Sequence, residues 1–183
     1  MTMLKGLAIC FMKIKNSVSF NVDHSRLKRG IYLSRIDKMG DVSTVTLDLR
    51  MRVPYKEKII SNEELHTYEH CFATAVRDIT ESMENVAVAY FGPMGCQTGY
   101  YLVFNVVNCD ESEYYELLHG ILKKSCQYVK GMKEVPAKNE LQCGNCYSLG
   151  DINVAVKAAN DMEVIVDEME KQNDFHKYCF IED

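Results

Sequence analysis

Ser61-Asn62-Glu63-Glu64-Leu65-His66-Thr67-Tyr68-Glu69-His70 reads as the opening of a helix, and the rest of the chain is organised around it. Ser61 stands where an N-cap belongs, with Glu64 three residues on, a pattern that satisfies the free N–H groups of a first helical turn. Leu65, Phe72, Ala75, Val76, Ile79 and Met83 then fall on one apolar stripe. His66 and His70, four apart, share a face at the edge of that stripe, and Glu69 lies beside them.

Working outward, Val45, Leu47, Leu49, Met51 and Val53 alternate with Thr46, Asp48, Arg50 and Arg52 until Pro54 closes the run. Period two predicts a half-buried strand, with Asp48, Arg50 and Arg52 on the face away from the core. Residues 17–22 and 30–36 read as short strands flanking the polar Asp23-His24-Ser25 stretch. Residues 86–91 and 100–107 read as two more, separated by the turn Gly92-Pro93-Met94-Gly95. A second helix is expected over 110–129 and a third from Asp151, with a loop over 130–150 and a frayed last dozen residues. The fold class is α+β: one domain, an antiparallel sheet packed against helices. Residues 1–16 read as an extension, 17–171 as the folded domain and 172–183 as a tail.

The 183 residues carry a net charge of −5 and no basic run, which argues against a nucleic-acid partner. No apolar stretch reaches the length of a membrane span. The apolar run from Gly6 to Met12 is short and leads straight into Lys13 and Lys15, unlike a secretory leader. Eight cysteines at irregular spacing, in a chain with room for a core, point to free thiols and a cytoplasmic location.

The order His66-x-x-Glu69-His70 is the inverted zinc-protease signature, although a solvated helix face with two spare histidines would look the same. Two imidazoles leave a catalytic metal site incomplete, because such sites take three protein ligands and keep one position open. Cys143-Gly144-Asn145-Cys146 is a C-x-x-C that could instead close a Cys2His2 structural site or form a redox pair. Cys96, flanked by Gly95, Thr98 and Gly99, has an uncovered setting suited to a reactive thiol. Cys10, Cys71, Cys109, Cys126 and Cys179 lack one and read as structural.

Five ordered blocks go further. They are Ser19-Phe20 through Asp23-His24, Asp48-Leu49-Arg50, His66 through His70, Pro93 through Tyr101, and Pro136-Ala137 through Gly144. Together, over about residues 19–159, the chain resembles the S-ribosylhomocysteine lyase (LuxS) family, which makes the autoinducer-2 precursor. The resemblance implies Cys143 as third metal ligand beside His66 and His70, and Cys96 and Glu69 as the acid/base pair. It implies one divalent metal per chain, iron(II) with zinc or cobalt accepted. It also implies substrate contacts from Ser19, His24 and Arg50, contributed by the partner chain of a homodimer with active sites at its interface. Tyr90 and Gly92 depart from the aspartate and serine usual in the family, and Cys146 is a cysteine the pattern does not call for. Two rival readings remain: an inverted-zincin peptidase taking Glu140 as distal ligand, and a non-catalytic paralogue with a Cys2His2 site.

Overall fold

A computed structural model describes residues 18–181. Strands β1 (Gly30–Met39), β2 (Val42–Arg50), β3 (Val86–Pro93) and β4 (Gly99–Val107) form one sheet in the order β1-β2-β4-β3. Every neighbouring pair is antiparallel. The β1–β2 hairpin closes through Gly40, whose φ of +61° lies in the left-handed region that glycine enters without a Cβ clash. Helices α1 (Asn62–Thr80), α2 (Tyr114–Gly131) and α3 (Ile152–Gln172) pack together, with α1 on β3 and α3 on β1. This is the expected α+β domain.

The predicted alternation sets the layers. Val45, Leu47 and Leu49 point into the helix-covered core and are fully buried. Tyr68 and Phe72 of α1 meet Phe91 of β3 and Tyr100 of β4 in an aromatic cluster with ring centroids 4.8–6.3 Å apart. Truncating a fully buried ring such as Phe72 to alanine is expected to cost about 3–5 kcal/mol. Helix α1 begins where expected, since the Glu64 N–H donates to the Ser61 hydroxyl at 3.2 Å. The reciprocal half of the capping box is replaced: the Glu64 carboxylate pairs with Arg52 at 3.0 Å.

Several expectations are corrected. Residues 18–21 form a short 3-10 turn (Val18–Asn21) rather than part of a strand, and Val22 makes only an isolated bridge to Phe180. Strand β2 stops at Arg50, because the N–H groups of both Met51 and Arg52 turn to the Thr98 carbonyl, at 3.0 and 2.9 Å. Arg52 therefore leaves the outer face and spans to Glu64 and Asp161. Asp48 and Arg50 do face away from the helices, but at 1% and 2% exposure they are not solvent-face charges. The tail is not frayed as far as Ile181. After Asn173 ends α3 in a left-handed conformation (φ 52°), the chain turns back across the outer sheet face. There His176, Cys179 and Ile181 hydrogen-bond to Ile31, Asp23 and Asn21, each at 2.8 Å. Residues 1–17, with the expected extension and Cys10, lie outside the described residues.

Candidate active site

Helix periodicity places His66 and His70 on one edge of α1, half-buried, with ring centroids 4.7 Å apart. The loop after α2 brings Cys143 to them, so that one donor atom from each of His66, His70 and Cys143 lies within 4.8 Å of the other two. The loop is fixed locally. The Cys143 N–H donates to the Asn139 carbonyl at 3.0 Å, and the Gly150 N–H donates to the Thr67 hydroxyl of α1 at 2.8 Å.

The imidazoles are aimed by groups that sequence reading did not single out. His70 Nδ1 lies 2.9 Å from the Pro136 carbonyl, which can only accept, so Nδ1 carries the proton and Nε2 keeps its lone pair. His66 Nδ1 lies 2.6 Å from the Ser148 hydroxyl, which itself donates to the Asn145 carbonyl at 3.0 Å. The same tautomer follows, and His66 Nε2 faces Cys143 Sγ at 3.5 Å. Burial holds the His66 imidazole below its ordinary pKa, with His70 adding to the effect, and that favours the neutral ligand form. Two imidazoles and a thiolate with outward N–H groups anchored suit one borderline-soft divalent ion. Glu69 Oε2 lies 3.9 Å from His70 Nε2, beside this group as the helix spacing requires.

Among the described residues Cys146 is not in that group; it is buried in the hydrophobic core instead, which takes the fourth ligand from a Cys2His2 site. Glu140, the distal ligand a peptidase would use, accepts from Tyr147 and is likewise outside it. All seven cysteines among the described residues are unpaired. Burial pushes the Cys71 and Cys126 thiols up to about 12, as inert core groups.

Cys96 belongs to a second constellation. It sits exposed in the turn before β4, where Gln97 takes φ 57° and its N–H closes onto the Met94 carbonyl at 2.9 Å. Gly99 must be glycine, because a Cβ there would meet the Leu49 carbonyl at 2.2 Å. That close approach draws the turn against β2. Arg50 Nη1 then donates to Thr98 Oγ1 at 2.5 Å and approaches Cys96 Sγ at 3.6 Å. Asp48 receives the other edge of the guanidinium, from Nε at 3.1 Å and Nη2 at 2.5 Å. Burial alone would raise the Cys96 thiol, but hydrogen bonds from Thr98 and the Arg50 charge outweigh it and hold the thiol below its ordinary value. Arg50 meets Cys96 within the chain, because β2 and β4 are neighbours in register at Arg50 and Gly99.

His24 and Arg50 line one cavity of about 540 Å³ on the outer sheet face, with Asp48, Tyr90, Tyr101 and Tyr178. His24 Nδ1 donates to the Val22 carbonyl at 2.8 Å, which directs the ring. Ser19 lies in the 3-10 turn, and its side chain is outside the described ones. The departures at Tyr90 and Gly92 form a matched pair: a Cβ at Gly92 would meet the Tyr90 hydroxyl at 2.1 Å. The Tyr90 ring occupies the space a larger residue at 92 would need.

These constellations can be compared with known proteins. The model of the S-ribosylhomocysteinase (LuxS) family matches residues 18–174. An S-ribosylhomocysteine lyase of Borreliella afzelii is 32% identical over 160 residues, covering 87% of this chain and 98% of the relative. Its counterpart in Finegoldia magna is 34% identical over 156 residues, covering 85% and 94%. That of Clostridium acetobutylicum is 40% identical over 127 residues, covering 69% and 77%. With the family pattern spanning nearly all of the described fold, the chain belongs to the S-ribosylhomocysteinase (LuxS) family.

Proposed function

We propose that the protein is a metal-dependent lyase that cleaves S-ribosylhomocysteine to homocysteine and 4,5-dihydroxy-2,3-pentanedione, the autoinducer-2 precursor. The observation that carries this reading is the coexistence of a three-donor group, His66, His70 and Cys143, with an activated thiol at Cys96. A peptidase has no use for the second, and a closed structural site has no use for either an open position or an exposed thiol held below its ordinary pKa by Thr98 and Arg50.

His66, His70 and Cys143 would hold one divalent ion, iron(II) by family resemblance, with zinc or cobalt as substitutes. The ion supplies Lewis-acid chemistry, polarising a carbonyl oxygen and making the adjacent C–H acidic. Cys96, as thiolate, accepts a proton from one sugar carbon, and as thiol returns it to the neighbouring one, so the carbonyl moves along the chain. Arg50 holds the thiolate form ready. Glu69, beside the ligands, serves the oxygen-bound protons and the final β-elimination, in which a C–H proton is removed and the C–S bond breaks to release homocysteine. Ser19, His24 and the outer-face cavity bind substrate.

Cys96 has its hydrogen-bonding partners on the outer sheet face, while His66 and His70 are anchored to Ser148 and Pro136 on loops beside α1. A homodimer that buries the outer faces, where Phe20, Tyr90 and Phe180 are exposed, would complete the site from two chains. The reaction takes place in the cytoplasm, where iron(II) and free thiols persist. Thiol release from S-ribosylhomocysteine by anaerobically iron- or cobalt-loaded protein tests the reading. Wild type should free homocysteine and Cys96→Ala should not, while keeping its metal. Full metal loading without thiol release in the wild type would sink the lyase reading.

A further inference from the structure

The C-terminal tail beyond the family-matched residues makes a contact whose chemistry reaches Cys96. Tyr178 stacks on Tyr32 of β1, with ring centroids 4.8 Å apart and planes within 4°. The hydrogen bonds of His176, Cys179 and Ile181 fix the backbone on either side. So held, the Tyr178 hydroxyl donates to Asp48 Oδ2 at 2.9 Å, the same oxygen that receives Arg50 Nη2. Arg50 in turn reaches Thr98 and Cys96 through Nη1. Five side chains, Tyr178 from the tail, Asp48 and Arg50 from β2, and Cys96 and Thr98 from the turn before β4, thus form one connected line.

We propose that Tyr178 is a positioning residue for Cys96, acting through Asp48 and Arg50. Its meaning for catalysis rests on the lyase reading above. Two effects of the hydroxyl point the same way. It fixes the carboxylate that orients the guanidinium, and it takes up part of the Asp48 negative charge that would otherwise offset Arg50 at the thiol. Burial raises the Tyr178 phenol well above its ordinary value, so it stays protonated and can only donate to the carboxylate. The other ionisable groups around this line are Tyr32, Arg35, Tyr90 and Tyr101 on the sheet, His24 across the cavity and Cys179 on the tail. None of them hydrogen-bonds to Asp48 or Arg50 among the described residues.

The test is the pH profile of iodoacetamide alkylation at Cys96, read by peptide mass spectrometry on full-length protein. Cys109, partly exposed beyond the end of β4, is the internal reference. Tyr178→Phe keeps the stacked ring and loses the hydroxyl, so its Cys96 profile should move to higher pH and the rate near neutrality should fall about threefold. Tyr178→Ala should move it at least as far. Cys109 should not change in either variant. A Cys96 profile in Tyr178→Phe that superimposes on wild type overturns the proposal, and so does a parallel change at Cys109, which would mean general loosening. Turnover is not needed for this readout. A shifted profile in a protein that releases no homocysteine leaves the positioning role standing and removes the lyase reading, whereas release with an unmoved profile does the reverse.

Discussion

Arg50→Met tests the outer face most directly. In the wild type Asp48 is 1% exposed and accepts three hydrogen bonds, two from Arg50 and one from Tyr178. The substitution leaves a buried carboxylate with the phenol alone. Removing one partner of a buried pair costs about 3–5 kcal/mol, against about 0–1 kcal/mol for an exposed pair. For a domain of this size, with about 2–4 °C per kcal/mol, the melting temperature should fall by about 6–20 °C. Replacing both partners, as Asp48→Leu with Arg50→Met, removes the buried charge and should recover most of the loss. Because the chain has no tryptophan, unfolding in urea is best followed by far-UV circular dichroism, at one fixed protein concentration. A loss below about 1 kcal/mol in the single variant, or a double variant that loses the sum of both singles, would refute the assignment of a buried, mutually dependent pair.

Further outcomes concern the metal group and the tail. Ser148→Ala leaves the His66 Nδ1–H unanchored and should weaken cobalt or zinc affinity about 10–100-fold in a competition with a chromophoric chelator; unchanged affinity would mean that Ser148 does not orient the ligand. Cys143→Ala should strip the metal while Cys146→Ala retains it at full stoichiometry, and metal loss from the second would restore the Cys2His2 reading. His176 is held below the ordinary value of 6.5 by burial, so below about pH 6.5 the unfolded state takes up more protons than the folded one. Its contribution is complete above that pH and is lost as pH falls through the folded value. His176→Gln should flatten the decline in melting temperature between about pH 7 and pH 5; an identical decline in the variant would show that other groups cause it.

Local chemistry made much of this protein legible from its sequence. Period two identified the 45–50 part of β2 and its two faces but ran past the strand's end at Arg50, and period 3.6 with Ser61 fixed α1 and put His66, Glu69 and His70 on one edge. Those are properties of neighbouring residues, decided by backbone geometry before any tertiary contact forms. The ordered blocks similarly marked Cys96 and Cys143. Tertiary structure decided what lies far apart in sequence. The surroundings of Asp48 and Arg50 depended on distant segments: the Tyr178 hydroxyl reaches Asp48 from 130 residues away, and the turn at Thr98 takes the free edge of Arg50. Ser148 and the Pro136 carbonyl aim the imidazoles across 82 and 66 residues, and neither residue type advertises that role. The fate of Cys146 was likewise out of reach, because a C-x-x-C spacing fixes how far apart two sulfurs can be but not which of them the surrounding core absorbs. Secondary structure follows from the local pattern of side chains; burial, pairing and the charge state of a thiol follow from which distant segments pack over them.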